Sequence, residues 1–64
     1  MYPNIEAERV RNGLKREELV EKIGISLSTY YNWLAGRTAI PSTSLKMMAQ
    51  IFKTTTDYLL EERR

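Results

Sequence analysis

The side chains that most often perform covalent or acid–base chemistry are missing: the 64 residues include no cysteine and no histidine. Disulfides, thiolate and imidazole metal sites, thiol nucleophiles and imidazole catalysis are removed together. The carboxylates are Glu6, Glu8, Glu17, Glu18, Glu21, Asp57, Glu61 and Glu62. They sit in helix-like patterns with no nucleophile or ligand cluster beside them, so no enzyme activity, cofactor, metal or small-molecule substrate is expected. What remains is recognition by hydrogen bonds and charge. The net charge is only +2, but no acid follows Glu21 until Asp57, and Lys22, Arg37, Lys46 and Lys53 lie between. The middle of the chain can approach a polyanion without repulsion. A moderately charged, solvated surface accounts for the same stretch equally well.

The apolar residues that must position these groups recur at helical spacing. Asn4 is the expected cap of a first helix, with Glu6 and Glu8 in its first turn, Ile5 and Val10 inside, and Asn12-Gly13 as its stop. A second helix is expected from Arg16 to Ile23, with Leu19, Val20 and Ile23 on one stripe and Gly24 at its end. Ser26 caps a third, reaching about Ala35 and closed by Gly36, with Tyr30, Trp33 and Leu34 buried. After a loop over Arg37–Pro41, Ser42 is the expected cap of a fourth helix whose Leu45, Met48, Ala49 and Phe52 point inward. Thr55 caps a short fifth carrying Asp57, Tyr58, Leu59 and Leu60. The fold class is therefore all-α, a compact bundle of five short helices in a single domain. No apolar run exceeds three residues, so no membrane-spanning helix is expected, and the first fifteen residues hold no signal-peptide core.

A chain of this length buries only roughly 60% of its unfolded surface. Without disulfides or metals it needs either good packing or association, for which Tyr58, Leu59 and Leu60 are candidates. Between Arg16 and Leu34, a helix stops at Gly24, turns through Ile25 and Ser26, and restarts at once. Gly24 supplies the positive φ of a sharp turn. This is helix-turn-helix spacing, which an ordinary αα-corner shares. At about 100° per residue, the burial of Tyr30, Trp33 and Leu34 turns Ser28, Asn32 and Ala35 outward. Tyr31 and Thr29 lie on opposite flanks, and Leu27 is on the border. Trp33 and Tyr30 are core residues on this reading, and so are Met47 and Met48 unless they meet a partner.

The chain resembles the lambda-repressor-like helix-turn-helix family, the Cro and repressor type found in phage and prophage regulators. The resemblance runs from Asn4 to Leu60 through Gly13-Leu14, Glu18-Leu19-Val20, Ile23-Gly24-Ile25-Ser26, Trp33 with Gly36, and Thr55 to Leu60. It implies a cytoplasmic, bacterial or phage-encoded regulator that sets its third helix in the major groove of double-stranded DNA. Such proteins usually pair about a two-fold axis on a palindromic operator. The base-reading positions correspond to Leu27, Ser28 and Asn32. Asn32 is suited to adenine, Ser28 donates or accepts, and Leu27 offers only a methyl surface. The backbone-contacting positions correspond to Arg16, where relatives often have Gln, and to Lys15, Tyr31, Arg37, Thr38, Ser42 and Thr43. Tyr58, Leu59 and Leu60 match the pairing segment.

Three departures from the family pattern stand out. Leu34 replaces a common Glu that pairs with an arginine on the first helix, so Arg9 is expected to turn to solvent or a carbonyl. Lys53 stands where the fourth helix usually ends in Gly, at a cost of roughly 1 kcal/mol if it turns left-handed. The loop from Arg37 to Pro41 is less basic than in many relatives, and Ile40 in it is either a plug or exposed. The sparse cations also suit a second function, a helix-turn-helix scaffold working through protein contacts as an antitoxin or adaptor.

Overall fold

Helices α1 (Pro3–Arg11), α2 (Arg16–Ile23), α3 (Leu27–Leu34), α4 (Ser42–Phe52) and α5 (Thr56–Leu60) make up the fold in a computed structural model, which describes residues 2–62. The described residues contain no strand. This is the five-helix, all-α architecture expected from the spacing of apolar residues.

Four of the five helices end in the same way. After α1, the Gly13 amide donates to the Val10 carbonyl and the Leu14 amide to that of Arg9. The same paired bonds recur at Gly24 and Ile25, at Gly36 and Arg37, and at Lys53 and Thr54. They satisfy the last carbonyls, and they need a left-handed residue at the turn. Gly24 takes φ 76°, and a Cβ built there meets nothing within 4 Å. Backbone conformation rather than crowding is therefore what glycine supplies at that turn. Lys53 adopts φ 56° with a side chain to accommodate, and it is the one left-handed residue other than glycine among those described. The left-handed turn anticipated for Lys53 is present.

Of the five helix starts, those of α2, α3 and α5 fall where expected and those of α1 and α4 do not. Ser26 Oγ accepts the Thr29 amide at 3.1 Å, and Thr55 Oγ1 accepts the Tyr58 amide at 3.1 Å. Asn4 and Ser42, however, are not caps: Tyr2 and Pro41 occupy those positions, so α1 begins two residues earlier than expected and α4 one residue earlier. Pro3 explains the first shift, because its missing N–H and fixed φ suit the opening turn of a helix. Asn4 then lies inside α1, 1% exposed, and donates from Nδ2 to the Tyr58 carbonyl at 2.8 Å. Lys15 starts α2 without a side-chain acceptor, and Glu18 reaches back to accept its amide at 2.7 Å.

The core comprises Ile5, Leu19, Val20, Ile23, Tyr30, Trp33, Leu45, Met48, Phe52 and Leu59. Leu34, Ala49 and Ile40 pack against it while partly exposed. Val10 is 64% exposed, against the expectation that it shares the buried side with Ile5. Five residues separate the two, about 140° around the helix, so one face cannot hold both. Glu8 takes the inward direction instead, 4% exposed, accepting from the Tyr58 hydroxyl at 3.3 Å and paired with Arg11 at 3.6 Å. Asn4 and Glu8 thus bind α5 to α1 by polar contacts, while α5 also packs on α4. The remaining main contacts join α2 to α3 and to α4.

Candidate nucleic-acid interface

The side chains on the outer face of α3 are free of core duty because Tyr30 and Trp33 turn the opposite face inward. Ser28 is exposed and Asn32 half-exposed, as the helical period requires. Leu27 is half-buried against the core, so only part of its side chain faces outward. The Asn32 amide is already oriented, with Oδ1 accepting from Arg37 Nη1 at 3.3 Å. Its Nδ2, which cannot bond a guanidinium, keeps its two donors for another acceptor. The ending of α3 makes this contact possible, because the turn at Gly36 brings Arg37 back within one turn of Asn32.

Across the turn, Arg16 at the start of α2 meets α3. Its guanidinium carbon lies 5.8 Å from the centre of the Tyr31 ring, a cation–π distance. The Tyr31 side chain is mostly outside the core, and the whole residue is 45% exposed. Arg16, Tyr31, Asn32 and Arg37 therefore form a connected series along the outer face of the helix-turn-helix. Lys15, Thr38, Ser42 and Thr43 are exposed, and none of them forms a side-chain contact that ties it to this series. Ser42 and Thr43 begin α4, where no side chain caps the first-turn amides.

Behind this face stands a charged cluster centred on Glu6. Its carboxylate accepts from Arg9 Nε and Nη2, both at 3.0 Å, from Arg16 Nη2 at 2.9 Å and Nε at 3.3 Å, and from the Tyr30 hydroxyl at 2.5 Å. Burial pushes this carboxyl up, but the hydrogen bonds from Arg9, Tyr30 and Arg16 outweigh it and hold the group at about 2. The Tyr30 phenol is pushed up by burial and by its bond to Glu6, so it stays a donor. The Glu6 bonds likewise raise Arg9 and Arg16 above the ordinary arginine range.

The carbonyl expected for Arg9 is that of Leu14, 2.6 Å from Nη1, but the expectation misses Glu6, which takes the place of the absent glutamate at position 34. Two signals in the sequence pointed to Glu6. It precedes Arg9 by three positions on one helix, and a buried Tyr30 needs a partner for its hydroxyl.

The residues on α5 lie apart from this face, on the helix that packs on α1 and α4. Leu59 is fully buried within the chain and offers no surface to a partner. Tyr58 is half-buried with its hydroxyl on Glu8, and Leu60 is 40% exposed. Among the described residues there is no group of His, Cys, Asp or Glu able to hold a metal ion. No described helix is long and apolar enough to cross a membrane.

A helix-turn-helix family model matches residues 5–59, a span containing both helices of the turn, the Glu6 cluster and most of α5. No curated protein and no solved structure matches the chain significantly. The match covers most of the sequence and coincides with the turn at Gly24 and the exposed face of α3, and the chain belongs to the lambda-repressor and Cro type of helix-turn-helix family, whose members are DNA-binding transcription regulators.

Proposed function

We propose that this chain is a sequence-specific repressor that binds a palindromic operator as a homodimer. The observation that carries the reading is the outer face of α3, where an exposed Ser28 and an Asn32 bonded to Arg37 share the helix with Tyr31, the ring that Arg16 meets. Asn32 and Ser28 read base edges in the major groove, and the exposed part of Leu27 meets a thymine methyl. Arg16, Lys15, Tyr31, Arg37, Thr38, Ser42 and Thr43 hold the phosphate backbone and set the register. With so few cations, one protomer binds weakly and salt-sensitively, and pairing multiplies the affinity. Leu60, with the exposed part of Tyr58, is the surface available for that pairing on α5.

A second reading, a scaffold acting through protein contacts, draws support from the pairing of Arg16 with Glu6, which offsets part of an already sparse positive charge. A gel-shift titration against genomic fragments at low salt separates the two. A saturable, sequence-dependent shift supports the repressor, and its absence favours the scaffold.

A further inference from the structure

We infer that Glu6 is a positioning residue for DNA binding: it holds Arg16 at the mouth of the helix-turn-helix in the orientation that meets a phosphate. The inference rests on the DNA-binding reading above and adds to it a carboxylate on α1 that faces no DNA itself. A glutamate beside a phosphate-binding arginine invites the opposite expectation, that it competes with the phosphate and weakens binding. Three features of the cluster argue against competition.

The first is saturation. Two carboxylate oxygens have about four lone-pair directions, and here Arg9, Arg16 and Tyr30 aim donors at both oxygens. Two guanidiniums surround one carboxylate, so the group carries net positive charge with the anion at its inner side. The second is the edge of Arg16 that Glu6 uses. Nε and Nη2 both bond Oε1, which leaves Nη1 without a carboxylate partner, and the Arg16 side chain remains 45% exposed. A guanidinium fixed along one edge still presents the other to an anion. The third is the ring of Tyr31, which lies against the guanidinium from α3. Carboxylate and ring together restrict a long side chain that would otherwise lose its rotamer freedom only on binding.

Glu6 therefore acts on DNA through Arg16, and this fixes the sign of its substitution. Glu6→Gln removes a negative charge from behind a DNA-binding face and is nevertheless expected to weaken binding to a mixed-sequence duplex at low salt, by roughly two- to tenfold, the penalty for immobilising one long side chain. The salt slope should fall toward that of Arg16→Met. In an Arg16→Met background, Glu6→Gln should have no further effect, which separates positioning from a general loss of structure. Glu6→Asp keeps the charge, withdraws the carboxylate by one methylene, and is expected to lose affinity to a smaller degree. It also serves as the test should the glutamine variant not fold. Unchanged or tighter binding by either variant overturns the inference, as does an equal loss in the Arg16→Met background. If the wild-type chain does not bind the duplex at all, the DNA-binding reading fails and takes this inference with it. Wild-type binding that is indifferent to Glu6 overturns the inference alone.

Discussion

Glu6 illustrates how much a single side chain can do at the residue scale, since one carboxylate joins α1, α2 and α3 through Arg9, Arg16 and Tyr30. In the folded chain it titrates at about 2 against an ordinary 4.5. A lowered folded value means that its stabilisation is complete above about pH 5 and is lost progressively as pH falls toward about 2. Allowing for solvent screening, the loss amounts to roughly 1–2 kcal/mol. Urea denaturation at a series of pH values should show this decline, and Glu6→Gln should flatten it. The two sides of the recognition face call for different outcomes. Asn32→Ala should relax preference at one base pair per half-site by about 1–3 kcal/mol, whereas Arg16→Ala should weaken all sequences alike and lower the salt slope by about 1. Competition binding with single-base operator variants distinguishes the two, and a uniform loss for both would refute the division of roles. Asn32 and Ser28 were legible in the sequence because a helical period leaves them no inward direction once Tyr30 and Trp33 are buried. Glu6 was legible only in part: Arg9 lies three positions on along the same helix, whereas Arg16 and Tyr30 are ten and twenty-four positions away and only the tertiary fold brings them to it.

At the scale of elements, the turns were more legible than the starts. Gly13, Gly24 and Gly36 mark helix ends directly, since a left-handed residue closes each helix. Asn4 and Ser42 are good caps by type, yet Tyr2 and Pro41 hold those positions. In the first case a proline fits the opening turn and tertiary contacts draw the asparagine into the interface with α5. In the second, the proline carries the extended backbone that precedes a helix, with φ −60° and ψ 145°. Lys53 is the one turn residue that works against its own conformation. Lys53→Gly should stabilise the chain by about 1 kcal/mol and raise Tm by roughly 4–8 °C. A lower Tm would mean that the lysine side chain contributes more than its strained backbone costs.

For the whole molecule, size and surface set the terms. A core of ten buried apolar residues is small, and α5 completes it with Leu59 rather than reserving that residue for a partner. The proposed pairing thus depends on Leu60 and the exposed part of Tyr58. Leu60→Asp should shift sedimentation equilibrium toward monomer while leaving the helical circular dichroism unchanged. Leu59→Ala should instead cost roughly 2–5 kcal/mol of folding stability. Dissociation by Leu59→Ala without destabilisation, or no effect of Leu60→Asp on a demonstrated dimer, would place the interface elsewhere. The overall charge of +2 says little about a DNA partner, but its arrangement says more. The acid-free stretch includes all of α3 and the loop after it, and the Glu6 carboxylate behind that face is bonded by Arg9, Arg16 and Tyr30.

Base reading by a paired α3 is tested by selecting bound duplexes from random DNA with the wild-type chain and measuring the spacing of enriched half-sites. A homodimer reading bases through α3 should enrich an inverted repeat whose half-sites are centred about one helical turn apart, roughly 34 Å along the duplex. Binding at low salt with no enriched sequence would contradict it, because α3 would then be holding phosphates without reading bases.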